Sequence, residues 1–170
     1  EIPVPAETDE TENGIDAAFQ SLAQTIDIED CDCIASFPSA WFSYRNIQVP
    51  FSNPKKIRMV LPFELEPTLP FQSDELVFDF QTIETPEAGN SASLLAVAIE
   101  KSELDPFLDA LKIHKIDPEC TTISGLPAAL CLARQADSGE DLLFIDSNGR
   151  FCTLFATVGG QIQMIRSFPL

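Results

Sequence analysis

The stretch Glu140 to Leu170, EDLLFIDSNGRFCTLFATVGGQIQMIRSFPL, constrains the fold most, because turn signals divide it into three apolar runs. Leu142 to Ile145 ends in Asp146-Ser147-Asn148-Gly149, Phe151 to Val158 meets Gly159-Gly160, and Ile162 to Phe168 closes the segment. Asn-Gly and Gly-Gly supply the positive φ that tight hairpins need, so the spacing predicts an antiparallel strand meander.

Upstream, helical and strand periods alternate. Ile15, Ala18, Phe19, Leu22 and Ile26 fall on one face of a helix over Gly14 to Thr25. Cys31 to Phe37 and Trp41 to Phe51 read as strands, and Asn53-Pro54 as an N-cap followed by proline at the first helical position. In that helix Ile57, Val60, Leu61, Leu65 and Leu69 form the buried stripe, while Pro62 removes a backbone donor and predicts a kink. Strand Glu75 to Ile83 follows, and Ser93 to Ile99 is apolar enough for a central strand covered on both faces. Ser102 with Asp105 predicts a helix start, Cys120 to Ile123 a brief strand, and Ser124 the start of a last, nearly all-apolar helix. The class is therefore α/β with a mixed sheet.

Charge narrows the partners. There are 27 acidic and 10 basic residues, a net charge of −17, which repels nucleic-acid phosphates and anionic lipid and favours a basic protein partner. Glu1, Glu7, Asp9, Glu10, Glu12, Asp16, Asp27, Glu29, Asp30 and Asp32 all precede the first basic residue, Arg45. A solvated acidic flank accounts for this run, and Asp27 to Asp32 is also a candidate contact segment. The second candidate is Lys55, Lys56 and Arg58, which crowd the positive end of the helix dipole while Glu64 and Glu66 sit toward the negative end. Surface charges reaching into water are the plainer explanation. Five cysteines, mostly within apolar runs, read as reduced buried thiols, and no stretch is long and apolar enough to cross a bilayer.

No catalytic constellation emerges. The sequence has no Gly-rich phosphate loop and no G-x-S-x-G elbow, and its one histidine, His114, lies between Lys112 and Lys115 near a helix end. Metal binding is not expected at Cys31-Asp32-Cys33, which lacks a second pair. Asp146 is the one carboxylate that stands out, either as a phosphate or magnesium contact at a strand tip or as part of an Asx-type hairpin turn.

Three blocks carry a resemblance: PSAWFSYRNIQVPFSNPKKIRMVLPFELEPTLPFQSDELVFDF, LLAVAIEKSELDPFLDALKIHKIDPECTTISGLPAALCLAR and IDSNGRFCTLFATVGGQIQMIRSFPL. Together they resemble the cytoplasmic actin-like domain of type II secretion protein L (GspL) and its type IV pilus counterpart PilM. The resemblance implies an actin-like, ribonuclease-H-related fold with an inserted subdomain. It divides the chain into a flexible acidic lead-in (1–13), a first half (14–139) and the start of a second half (140–170). It also implies a place for this chain on the cytoplasmic face of the bacterial inner membrane, with a membrane helix and a periplasmic domain beyond it.

The function so implied is a non-enzymatic scaffold that recruits the secretion ATPase through its N-terminal domain and contacts other inner-membrane platform proteins. The alternative is a nucleotide-binding actin-like ATPase or switch holding ATP and magnesium. In the family's second phosphate loop an Asp-x-Gly and a later Thr approach the nucleotide. Asp146, Gly149 and Thr153 are what remains of it here, with Asn148 in place of the glycine and Thr153 one residue late. No cofactor is therefore expected. Uncovered meander residues such as Phe155, Ile165 and Phe168 predict self-association, as a homodimer or by strand swap.

Overall fold

The structure, a computed structural model, describes residues 11–25, 32–84, 91–135 and 140–170. Its elements run α1 (Thr11–Thr25), β1 (Ile34–Phe37), β2 (Phe42–Val49), α2 (Pro54–Leu65), β3 (Leu76–Glu84) and β4 (Ala92–Glu100), then α3 (Lys101–Ile113), β5 (Cys120–Ile123), α4 (Leu126–Gln135), β6 (Leu142–Ser147), β7 (Phe151–Val158) and β8 (Gln161–Pro169). Among the described residues the strands form a pair β1-β5 and two three-stranded sheets, β2-β4-β3 and β6-β7-β8. The described residues form two compact units, one drawn from the ranges 1–35 and 102–121, the other from 36–101 and 122–170.

In the first unit α1 begins at Thr11, three residues ahead of the Gly14 expected from periodicity. Phe19 meets Phe107 edge-on with ring centroids 5.8 Å apart, a geometry that aligns the positive ring edge with the negative face. Helix α3 starts directly after β4 at Lys101, so Ser102 lies within its first turn rather than ahead of it. Beyond its end at Ile113 the helix is closed by Lys115, a non-glycine residue at φ 58. The Lys115 N–H returns to the Lys112 carbonyl and the Ile116 N–H to that of Leu111, which is a Schellman closure, and both Leu111 and Ile116 are buried.

The second unit is built around β4, the middle strand of its sheet, antiparallel to both neighbours. Its alternation serves two faces at once. Ala92, Leu94 and Ala96 pack with Ile57, Leu61 and Leu65 of α2, whereas Leu95 joins Tyr44, Ile123, Ala129, Phe155, Ile162 and Ile165. The double coverage expected of LLAVAI is thus present, and it accounts for a strand with almost no polar side chain. Helix α2 is capped as its sequence predicts, Asn53 Oδ1 accepting from the backbone N–H groups of Lys55 (2.9 Å) and Lys56 (3.3 Å). It continues past Pro62 to Leu65, and the Glu66 N–H returns to the Pro62 carbonyl.

The meander forms as the turn chemistry dictates, with β6-β7 and β7-β8 both antiparallel. The expectation that its apolar residues lack cover is corrected for two of the three. Phe155 and Ile165 are 0% and 2% exposed, packed with Leu126 and Leu130 of α4 and with residues of β2 and β4. Phe168, the third, stays open, as do Leu143, Ile145 and Val158 of the same sheet. The cysteines are corrected too: of the four described, Cys152 is buried, Cys33 is half-buried, and Cys120 and Cys131 are exposed.

Candidate functional site

Asp146 and Thr153 are brought together by the β6-β7 hairpin, as direct register partners. Partners in an antiparallel ladder project to the same face, so both lie on the side of the sheet that carries Phe144 and Phe155, whose rings are 5.8 Å apart. The turn beyond them is held locally. Asn148 Oδ1 accepts from the N–H groups of Phe151 (2.9 Å) and Arg150 (3.1 Å), so the Asx-type closure, read from the sequence as one alternative for Asp146, is made by Asn148. Gly149 sits at φ 85 with open space where a side chain would be.

Asp146 is half-buried against Gly125, the residue before α4. A Cβ on Gly125 would lie 2.8 Å from the Asp146 carboxylate and 2.9 Å from the Phe155 ring, and its φ is +83. Both facts require glycine here. The carboxylate thereby stands beside the N-terminal end of a helix, where backbone dipoles favour negative charge.

Thr153 has a different environment. It is 2% exposed, and its hydroxyl is bonded to the Ser39 hydroxyl at 2.5 Å and donates to that of Ser167 at 3.1 Å. Ser39 in turn offers its carbonyl to the Tyr44 hydroxyl at 2.7 Å. Burial raises the Tyr44 phenol well above its ordinary range, since an anion there would lose its hydration. These hydroxyls run from the β1-β2 connection through β7 to β8, and no buried side-chain polar atom of the described residues lacks a partner. Ser39, Tyr44, Ser167 and Gly125 carry no motif, and a serine after a proline reads only as loop. Nothing local in the sequence marks them.

The basic candidates separate. Arg58 lies 3.1 Å from Asp79 and stacks over Phe80 with its guanidinium carbon 5.5 Å from the ring centroid. Lys55 and Lys56 are exposed, and among the described residues their side chains have no ion pair or hydrogen bond. Of the acidic segment, Asp27, Glu29 and Asp30 lie outside the described residues, and Asp32 is exposed. No cluster of metal-ligating side chains occurs among the described residues, and no helix among them is long and apolar enough to cross a membrane.

No protein-family model matches the sequence, and no curated protein does. Solved structures do. A chain of the PilM-PilN type IV pilus biogenesis complex superposes with a TM-score of 0.77 at 20% identity, over 92% of this chain and 49% of the other. The cytoplasmic domain of EpsL, an inner-membrane component of the type II secretion system of Vibrio cholerae, gives 0.64 at 13% identity, over 91% and 56%. The chain thus spans about half the length of the solved chains it matches. The α/β architecture with mixed sheets, built on a covered central strand and a terminal meander, is the actin-like fold that these two structures have.

Proposed function

We propose that the chain is a non-enzymatic scaffold of a bacterial inner-membrane secretion or pilus platform, recruiting the cognate ATPase through its N-terminal domain and contacting other platform proteins. The observation that carries this is the shared fold with two proteins whose names place them in such assemblies, one of them in complex with a second protein. The internal use of the Thr153 hydroxyl supports a role without nucleotide, because a threonine that serves phosphate must present its oxygen outward. The site of action under this reading is the cytoplasmic face of the inner membrane, with docking by charge: a chain of net charge −17 steers a basic partner domain. Calorimetric titration with the N-terminal domain of the cognate ATPase at two salt concentrations tests it. Saturable binding that weakens with salt is expected, and absence of binding at both overturns the reading.

A second reading is an actin-like nucleotide switch, favoured by the Asp146 carboxylate beside Gly125 at the start of α4. Under it, ATP with magnesium raises the melting temperature of the wild-type chain and not of D146A, since a ligand specific to the folded state stabilises it by mass action. The scaffold reading expects no shift in either.

A further inference from the structure

Helix α2 spends its inward face on the sheet and leaves a composed stripe outside. Ile57, Leu61 and Leu65 are 0–2% exposed, whereas Met59 and Phe63, one turn apart, are 74% and 70% exposed. Lys55 lies one turn before Met59 on the same ridge and Lys56 adjoins it, so the stripe is cationic at the helix N-terminus and apolar along its middle. Glu64 and the C-cap Glu66 make the far end acidic. The fold uses none of this: Arg58, the third basic residue, is engaged by Asp79 and Phe80, but Lys55 and Lys56 are not engaged by any described residue. Two unpaired ammonium groups at the positive end of a helix are unfavourable in isolation, and they are concentrated here in a chain with only 10 basic residues against 27 acidic ones.

We infer that the outer face of α2 docks an acidic, apolar-bearing segment of a partner protein, its carboxylates over Lys55 and Lys56 and its apolar side chains against Met59 and Phe63. Charge complementarity selects this occupant. An incoming carboxylate near Lys55 and Lys56 also meets the positive end of the α2 dipole, so the two attractions coincide. The acidic far end fixes the direction of the bound segment by repelling its carboxylates. An anionic bilayer would face the net charge of −17 over a broad surface and is disfavoured, whereas a short segment meets only the α2 face. The inference rests on the docking reading above and refines it: the net charge steers a basic partner domain to the chain, and this one face receives an acidic segment of that partner.

The test is fluorescence anisotropy with a short synthetic helical peptide, leucines on one face and glutamates on the other, against wild type, K55E/K56E, M59S/F63S and R58Q. All the replaced side chains are exposed, and an unchanged urea midpoint confirms that each variant is folded. Saturable binding is expected, weakened about tenfold or more by each double variant, which is about 1.4 kcal/mol. Exchange of the peptide glutamates for glutamines should abolish it, and R58Q should leave it unchanged. Absence of saturable binding, equal binding by all variants, or preference for phosphatidylcholine-phosphatidylserine vesicles over the peptide overturns the inference. The ATPase-domain titration, run on the same variants, separates the two claims. ATPase binding that ignores both double variants removes this face as the dock and leaves the scaffold standing, whereas peptide binding through α2 without ATPase binding keeps the face and removes that partner.

Discussion

The hydroxyls of Ser39 and Thr153, 114 residues apart in sequence, share a buried hydrogen bond of 2.5 Å. The bond ties the loop after β1 to the middle strand of the meander, and Thr153 extends it to Ser167 on β8. Loss of either hydroxyl leaves the other partly unsatisfied, so S39A and T153V should each lose about 1–2 kcal/mol in urea denaturation. The double variant should lose clearly less than the sum, because both single changes delete the same bond. Strict additivity would mean that the two groups act independently.

Tyr44, the one tyrosine of the chain, makes alkaline titration specific. It is 6% exposed, and burial raises its pKa. The unfolded phenol loses its proton near pH 10 while the folded one keeps it, so the unfolded state binds fewer protons above that point and stability must fall as pH rises. The contribution is fully present below about pH 10 and declines by about 1.4 kcal/mol per pH unit above it. Phenolate absorbance should therefore appear only together with loss of the native circular dichroism. Y44F should remove the tyrosine share of the slope.

Two glycines with nearly equal φ should respond unequally to alanine. Gly149→Ala meets open space and should cost about 1 kcal/mol, the price of left-handed backbone for an L-residue. Gly125→Ala adds contact with Asp146 and the rigid Phe155 ring and should cost about 3 kcal/mol or more. Thermal denaturation of the pair checks the order.

Lys115 closes α3 in a conformation that suits glycine. K115G should stabilise the chain by about 0.5–1 kcal/mol, and K115A should be close to neutral. Destabilisation by K115G would show that the lysine side chain has a role beyond the backbone.

How far the sequence reached depends on the range of the forces involved. The meander with its Asn148-Gly149 turn, the double-faced β4 and the Asn53 cap of α2 follow from turn chemistry, periodicity and capping, which act over a few residues and are written where they act. Boundaries drifted where two elements abut, as at Ser102, because β4 passes directly into α3 and leaves no loop to carry a cap. Asp146 was visible for its place at a strand tip, but its neighbour Gly125 was not, since their contact spans a helix and a connection. The cover of Phe155 and Ile165, the exposure of Cys120 and Cys131, the partner of Arg58 and the burial of Thr153 were decided only by the tertiary structure. Each depends on what a distant segment places against the residue. Sequence by itself determined which strands and helices form and how acidic the chain is; the packing of β2, β4 and α4 on the meander decided which polar groups are consumed within the fold and which, like Lys55 and Lys56, remain available outside it.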